Sequence, residues 1–335
     1  MLSGHRTWIF DQQPVIISTA TVGGPVEARG KIPEAFDILH DDLWLQQESF
    51  EKAQQIMMEE ACQHTIKNSP IEKEQVEFFI SGDLINQITP TSFAAHTIDV
   101  PYFGLFSACA TSMESLALAA LMINSNGANY ILSGTASHNA ATEKQFRYPT
   151  EYGGQKPTTA QYTVTGAGCC LVAKQGKGPR ITSATIGKVV DMGITDPFNM
   201  GAAMAPAAVD TIIAHLKERN VDPSYYDYIV TGDLGHIGRE TSIDLLRQRG
   251  IDIQENQYVD CGLTIYREDQ SVLSGGSGTA CSAVGVYGHY LKLLEKGEAQ
   301  RILSVATGSL HSPLSVQQKN SIPCIAHAVS IESGS

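Results

Sequence analysis

The chain is written twice. Residues 17–23 (Ile-Ser-Thr-Ala-Thr-Val-Gly) are similar to 181–187 (Ile-Thr-Ser-Ala-Thr-Ile-Gly), residues 79–84 to 229–234, and residues 129–133 to 300–304, in the same order. Three ordered anchors confine the fold to two similar halves related by a pseudo-two-fold axis. Each anchor is a short apolar, β-branched run of the kind that forms a buried strand. Between the first two anchors the spacing predicts amphipathic helices over 51–65, with Ile56, Met57 and Ala61, and over 208–217, with Val209, Ile212, Ile213 and Leu216. Each half thus reads strand, helix, strand, strand-turn-helix, strand. That alternation predicts an α/β fold of two pseudo-symmetric βαβ-type halves, with helices covering mainly parallel strands. Gly176, Gly178 and Pro179 interrupt the pattern, which divides the chain into 1–175 and 176–335.

Composition removes several classes of function. With 23 Lys+Arg against 35 Asp+Glu the formal charge is -12, which argues against nucleic acid as a partner and means that an anionic ligand needs a local site against the global field. Seven cysteines without paired CxxC spacing, two of them adjacent at Cys169 and Cys170, suit reduced thiols rather than a disulfide framework or a zinc site. No basic-then-apolar leader pattern and no apolar run near the roughly 18 residues of a membrane span is present, so membrane association is expected to be peripheral.

Residues 107–120 carry the chemistry. The apolar stretch 100–106 suits a buried strand, and Met113, Leu116, Ala117, Ala120 and Leu121 follow at helical spacing, so Cys109 lies on a strand-to-helix turn. Unpaired N–H groups and the helix dipole at such a turn favour thiolate and would stabilise a bound carboxylate as well. Cys109 is therefore a nucleophile, the floor of an anion pocket, or a small apolar core residue.

A duplicated chain with this cysteine turn in its first half resembles the thiolase and ketoacyl-synthase superfamily, and residues 165–168 (Thr-Gly-Ala-Gly) are similar to a glycine-rich stretch of the synthases. The resemblance implies a thiolase-like fold in a layered αβαβα arrangement. Residues 146–157, 196–201, 231–236 and 321–329 resemble, more narrowly, the AD-type stage V sporulation proteins of spore-forming bacteria. That likeness implies binding of dipicolinic acid (pyridine-2,6-dicarboxylate) and a role in its uptake into the developing spore. It also implies a place at the inner spore membrane and membrane-protein partners from the same sporulation operon, while the thiolase-like fold implies a homodimer formed through the first half.

The catalytic set of the superfamily is incomplete here. A thiolate condenses thioesters only with a proton-transfer group and oxyanion donors beside it. In the loop 275–282 Ser277 stands where thiolases carry a histidine, and no second cysteine is found at 306–309, the expected last glycine-rich turn. His236 is either the second active-site histidine or an ordinary loop histidine. Asp83 and Asp233 follow equivalent strands; each is either a turn aspartate that holds backbone N–H groups or a ligand group at the carboxyl end of the sheet. For a flat dicarboxylate, the segment 146–156 offers Arg147 for a bidentate contact, Lys156 as a point charge, and Tyr148 and Tyr152 to cover a ring. It reads as a lid or as a solvated loop. The resulting expectation is a non-catalytic pocket of Asp83, Cys109, Arg147, Lys156, Asp233, His236 and Ser277, with no resident metal or cofactor. Calcium entering with dipicolinate would meet Asp83 or Asp233. The alternative is an acyl-CoA or acyl-carrier condensing enzyme acylated on Cys109.

Overall fold

The computed structural model describes residues 1–147 and 156–334. Ten strands build the frame: β1 (Val15–Gly23), β2 (Phe78–Gly82), β3 (Tyr102–Gly104), β4 (Tyr130–Ser137) and β5 (Gly166–Ala173) in the first half, then β6 (Arg180–Thr185), β7 (Tyr228–Thr231), β8 (Tyr258–Asp260), β9 (Arg301–Ser309) and β10 (Cys324–Glu332) in the second. They run in the order β8-β7-β9-β10-β6-β1-β5-β4-β2-β3, so both halves repeat one strand order, and β1 and β6 meet at the centre. The three repeated anchors fall on β1 and β6, β2 and β7, and β4 and β9. Even the capping chemistry is doubled. Glu77 before β2 accepts the N–H groups of Asn129 and Tyr130 at the start of β4, and Asp227 before β7 accepts those of Gln300 and Arg301 at the start of β9.

The strands are parallel only within β3-β2-β4 and β8-β7-β9; β5 and β10 run antiparallel to both of their neighbours. The expectation of mainly parallel strands is corrected accordingly. A strand buried on both faces is a continuous apolar run in either direction, so its pattern does not encode its sense. The stretch 100–106 is also corrected: β3 is an edge strand, with Phe103 46% and Phe106 53% exposed.

Helices form five layers with the sheet halves. Helix α1 (Phe50–Lys67) starts where Ser49 accepts the N–H of Lys52, and it buries Ala53, Met57 and Ala61, spaced four apart, against β5, β1 and β4. Helix α2 (Thr89–Ile98) packs beside it. Helix α3 (Thr111–Asn124) lies inside, against strands of both halves, with Met113, Leu116, Ala117 and Ala120 fully buried. Helix α4 (Asn139–Arg147) follows β4. Helix α5 (Met200–Arg219) covers β10 and β9 from outside and crosses α6 (Gly235–Gln248). Helix α7 (Thr279–Val284) shares the inner layer with α3. Three apolar clusters fill the interfaces, one around α3 and α7, one under α1 and one under α5. Among the described residues no helix is long and apolar enough to cross a membrane.

Candidate functional site

Cys109 sits at the point where the two halves meet. The turn before α3 is held in a sparsely populated conformation, with Ala108 at φ 48°. Such a backbone persists only where its surroundings enforce it. Thr111 Oγ1 donates to the Ala108 carbonyl at 2.7 Å and accepts the Ser107 N–H at 3.0 Å. From the other half Gly308 presses on the turn: a β-carbon there would lie 2.2 Å from the Ser107 carbonyl oxygen.

The side chain of Cys109 is 8% exposed and lies 4.0 Å from Ser277 Oγ. Behind Ser277 stands Asp233, fully enclosed. One carboxylate oxygen of Asp233 accepts from Ser277 Oγ at 2.9 Å and from the Gly278 N–H at 3.2 Å, and the other accepts from Thr307 Oγ1 at 2.7 Å. Gly278 is at φ 101°, a region open to glycine, which lets its N–H turn toward the carboxylate. Burial raises the pKa of Asp233 to about 6 against those hydrogen bonds. Burial, with the Asp233 carboxylate next, pushes the Cys109 thiol well above its ordinary range.

Of the three readings of Cys109, the thiolate nucleophile is the one this environment opposes. The N–H groups of Ala110 and Thr111 donate to the carbonyls of Ser107 and Ala108, so these two are already engaged and do not serve a sulfur anion or a bound carboxylate. Desolvation and a neighbouring carboxylate both oppose ionisation of a thiol.

Asp83 is buried as well, with burial raising its pKa to about 6. Its oxygens accept from the Ile85 N–H at 2.7 Å and from the N–H and hydroxyl of Thr91, which ties the end of β2 to α2. These are the contacts of a turn aspartate. His236 is exposed on the first turn of α6, where its N–H donates to the Ser274 carbonyl at 2.8 Å. It does not join the Cys109 cluster.

Arg147 and Lys156, by contrast, come together. Lys156 Nζ lies 2.6 Å and Arg147 Nη1 3.5 Å from the Glu143 carboxylate, and the Arg147 guanidinium stacks 4.9 Å from the Phe198 ring centroid. One residue before Arg147, Phe146 packs on the small apolar cluster of Leu84, Ala108 and Cys109, together with Leu310. Phe146 thus ties the helix that carries Glu143 and Arg147 to the cysteine cluster. Tyr148 and Tyr152 fall outside the described residues.

Four groups of the site escape sequence reasoning. Glu143 precedes Arg147 by four positions on a helix, a pairing signal that was available. Phe198 lies in the 196–201 motif. Thr307 is on strand β9, in the stretch expected to be a turn, and His311 lies just beyond the strand, its ring 5.6 Å from that of Phe146. Nothing in the local spacing of Phe198 or His311 marks a site residue; the tertiary fold brings them in.

A strained cysteine turn between two repeated α/β halves defines the thiolase-like class of proteins, and solved structures agree. The chain is similar to 3-oxoacyl-[acyl-carrier-protein] synthase III of Aquifex aeolicus (13% identity, TM-score 0.58, over 95% of this chain and 99% of that one). It is also similar to a variant of Xanthomonas campestris OleA (15%, 0.61, 96% and 99%) and to human mitochondrial 3-ketoacyl-CoA thiolase (11%, 0.59, 99% and 100%). At such identities these structures speak for the fold. Residues 4–332 match the model of the stage V sporulation protein AD family, and the chain is 44% identical over 331 residues to stage V sporulation protein AD of Bacillus subtilis (strain 168), covering 99% of this chain and 98% of that protein. The chain belongs to the stage V sporulation protein AD family.

Proposed function

We propose that this chain acts in sporulation as a non-catalytic receptor for a small aromatic dicarboxylate, dipicolinate, and serves its uptake into the developing spore together with membrane proteins of the same operon. The observation that carries the reading is the convergence of Arg147 and Lys156 on one carboxylate position, with Phe198 against Arg147, on a helix whose Phe146 packs on the Cys109 cluster. A guanidinium, an ammonium and a flat apolar surface are the complement of a ring that bears carboxylates.

The cysteine supports the same conclusion from the other side. Attack on a thioester needs thiolate, yet the group bonded into this site is a carboxylate that opposes it. Calorimetric titration with dipicolinate, with and without calcium, should give saturable binding that weakens at least about tenfold on Arg147→Ala, the scale of a lost charge-assisted contact. Absence of heat at millimolar ligand would refute the reading. The preserved Ala108–Cys109 turn favours one rival, a condensing enzyme. Incubation with acyl-CoA and measurement of intact mass separates the two, because an adduct that disappears in Cys109→Ser belongs to an enzyme.

A further inference from the structure

The two cations of the proposed site already have a carboxylate between them. Glu143 and Arg147 are one turn apart on α4, and Lys156 reaches the same carboxylate from nine residues further on. The three side chains are 19%, 24% and 26% exposed, so the cluster is neither solvated freely nor sealed. Two polar atoms of the same helix, Asn139 Nδ2 and Thr142 Oγ1, are buried without a partner among the described residues, as is Asn199 Oδ1 of the residue after Phe198. Buried polar groups of this kind are expected to meet water or a ligand.

We infer that Glu143 is a specificity-determining residue, an internal carboxylate that occupies the Arg147–Lys156 pair and yields it to a ligand with two carboxylates but not to one with a single carboxylate. The inference rests on the dicarboxylate reading given above. Without Glu143 the two cations would be uncompensated and would attract any small anion that approached. With it, a monocarboxylate gains no contact that Glu143 does not already supply, and it also gives up translational freedom on binding. A dicarboxylate brings one whole carboxylate for each cation, where Glu143 divides a single carboxylate between the two. Discrimination thus arises from a competitor held in place by the chain.

The test compares pyridine-2,6-dicarboxylate with pyridine-2-carboxylate by calorimetry on the full chain, wild type and Glu143→Gln, with melting temperatures as a folding control. A surface-to-half-buried ion pair sets the scale, so Glu143→Gln should tighten the monocarboxylate by about fivefold or more and narrow the ratio between the two ligands. Adding Arg147→Gln to Glu143→Gln should remove that gain. If wild type binds the dicarboxylate but Glu143→Gln leaves the monocarboxylate affinity and the ratio unchanged, the role of Glu143 falls while the dicarboxylate reading stands. If neither protein binds the dicarboxylate, both fall.

Discussion

Asp233 adds its charge to burial in restraining Cys109. A buried carboxylate next to a buried thiol makes the second charge costly, so removing the first should release the second. Asp233→Asn is expected to speed alkylation of Cys109 by iodoacetamide at pH 8 several-fold, read as the mass of the Cys109 peptide over time; an unchanged rate would leave burial as the sole restraint on the thiol. The same substitution has a pH signature. Because folding raises the Asp233 pKa to about 6, the folded chain binds this proton more tightly than the unfolded one. Its contribution to stability is therefore fully present below the unfolded carboxylate range and is lost as pH rises toward 6. Asparagine does not titrate, so the stability of Asp233→Asn minus that of wild type should increase from pH 4 to pH 6, by about 2 to 3 kcal/mol, and then level off. Urea midpoints across that range would show it, and a difference that shrinks with rising pH would contradict the sign. At this scale sequence reading is mixed for a physical reason. Cys109, Ser277 and Asp233 lie on turns whose types mark them, and the fold joins them. His236 lies three residues beyond Asp233, far enough into α6 to face solvent.

Between elements, the cysteine turn is constrained by the end of β9, where the sequence suggests a glycine-rich turn and the structure has strand. Gly308 closes β9 against the Ser107 carbonyl, with room for a hydrogen and none for a methyl group. Gly308→Ala should destabilise the fold by about 1 to 3 kcal/mol, the ordinary cost of overpacking, measured as a lower urea midpoint at unchanged slope. A neutral substitution would mean that the turn relaxes without strain. This contact also explains which elements can be read in the sequence. The repeated anchors are strands with both faces buried, so their runs of Ile, Val and Thr repeat because the same neighbours recur on each side. Helices α1, α3 and α5 are legible through their apolar stripes. The antiparallel sense of β5 and β10 is not, since direction is set by the connections and by the partner strands, and the same side chains serve either way.

For the whole molecule, the two ends of the sheet break the internal symmetry. At one end β8 is protected: Tyr258 is fully buried, Asp260 caps the start of α6 through the N–H groups of Leu234 and Gly235, and a short helix, Cys261–Ile265, follows at once. At the other end β3 pairs among the described residues with β2 alone, and it carries Phe103 46% exposed, with Phe106 at 53% just beyond and Phe93 at 57% on neighbouring α2. An open edge lined with aromatic side chains invites another strand, and proteins that remain monomeric blunt such edges with charge or cover. No charged side chain lies on β3 to do so. A second copy of the chain, meeting the first edge to edge about a two-fold axis, would bury these rings and extend the sheet. The expected outcome is a dimer by light scattering at micromolar concentration, and Phe103→Glu, which places a carboxylate at the edge, should shift it to monomer without lowering the melting temperature of the isolated chain. A dimer that persists in Phe103→Glu would locate the interface elsewhere. The argument reaches the site as well, because β3 leads directly into residues 107–109: whatever covers that edge also braces the turn on which Cys109 stands.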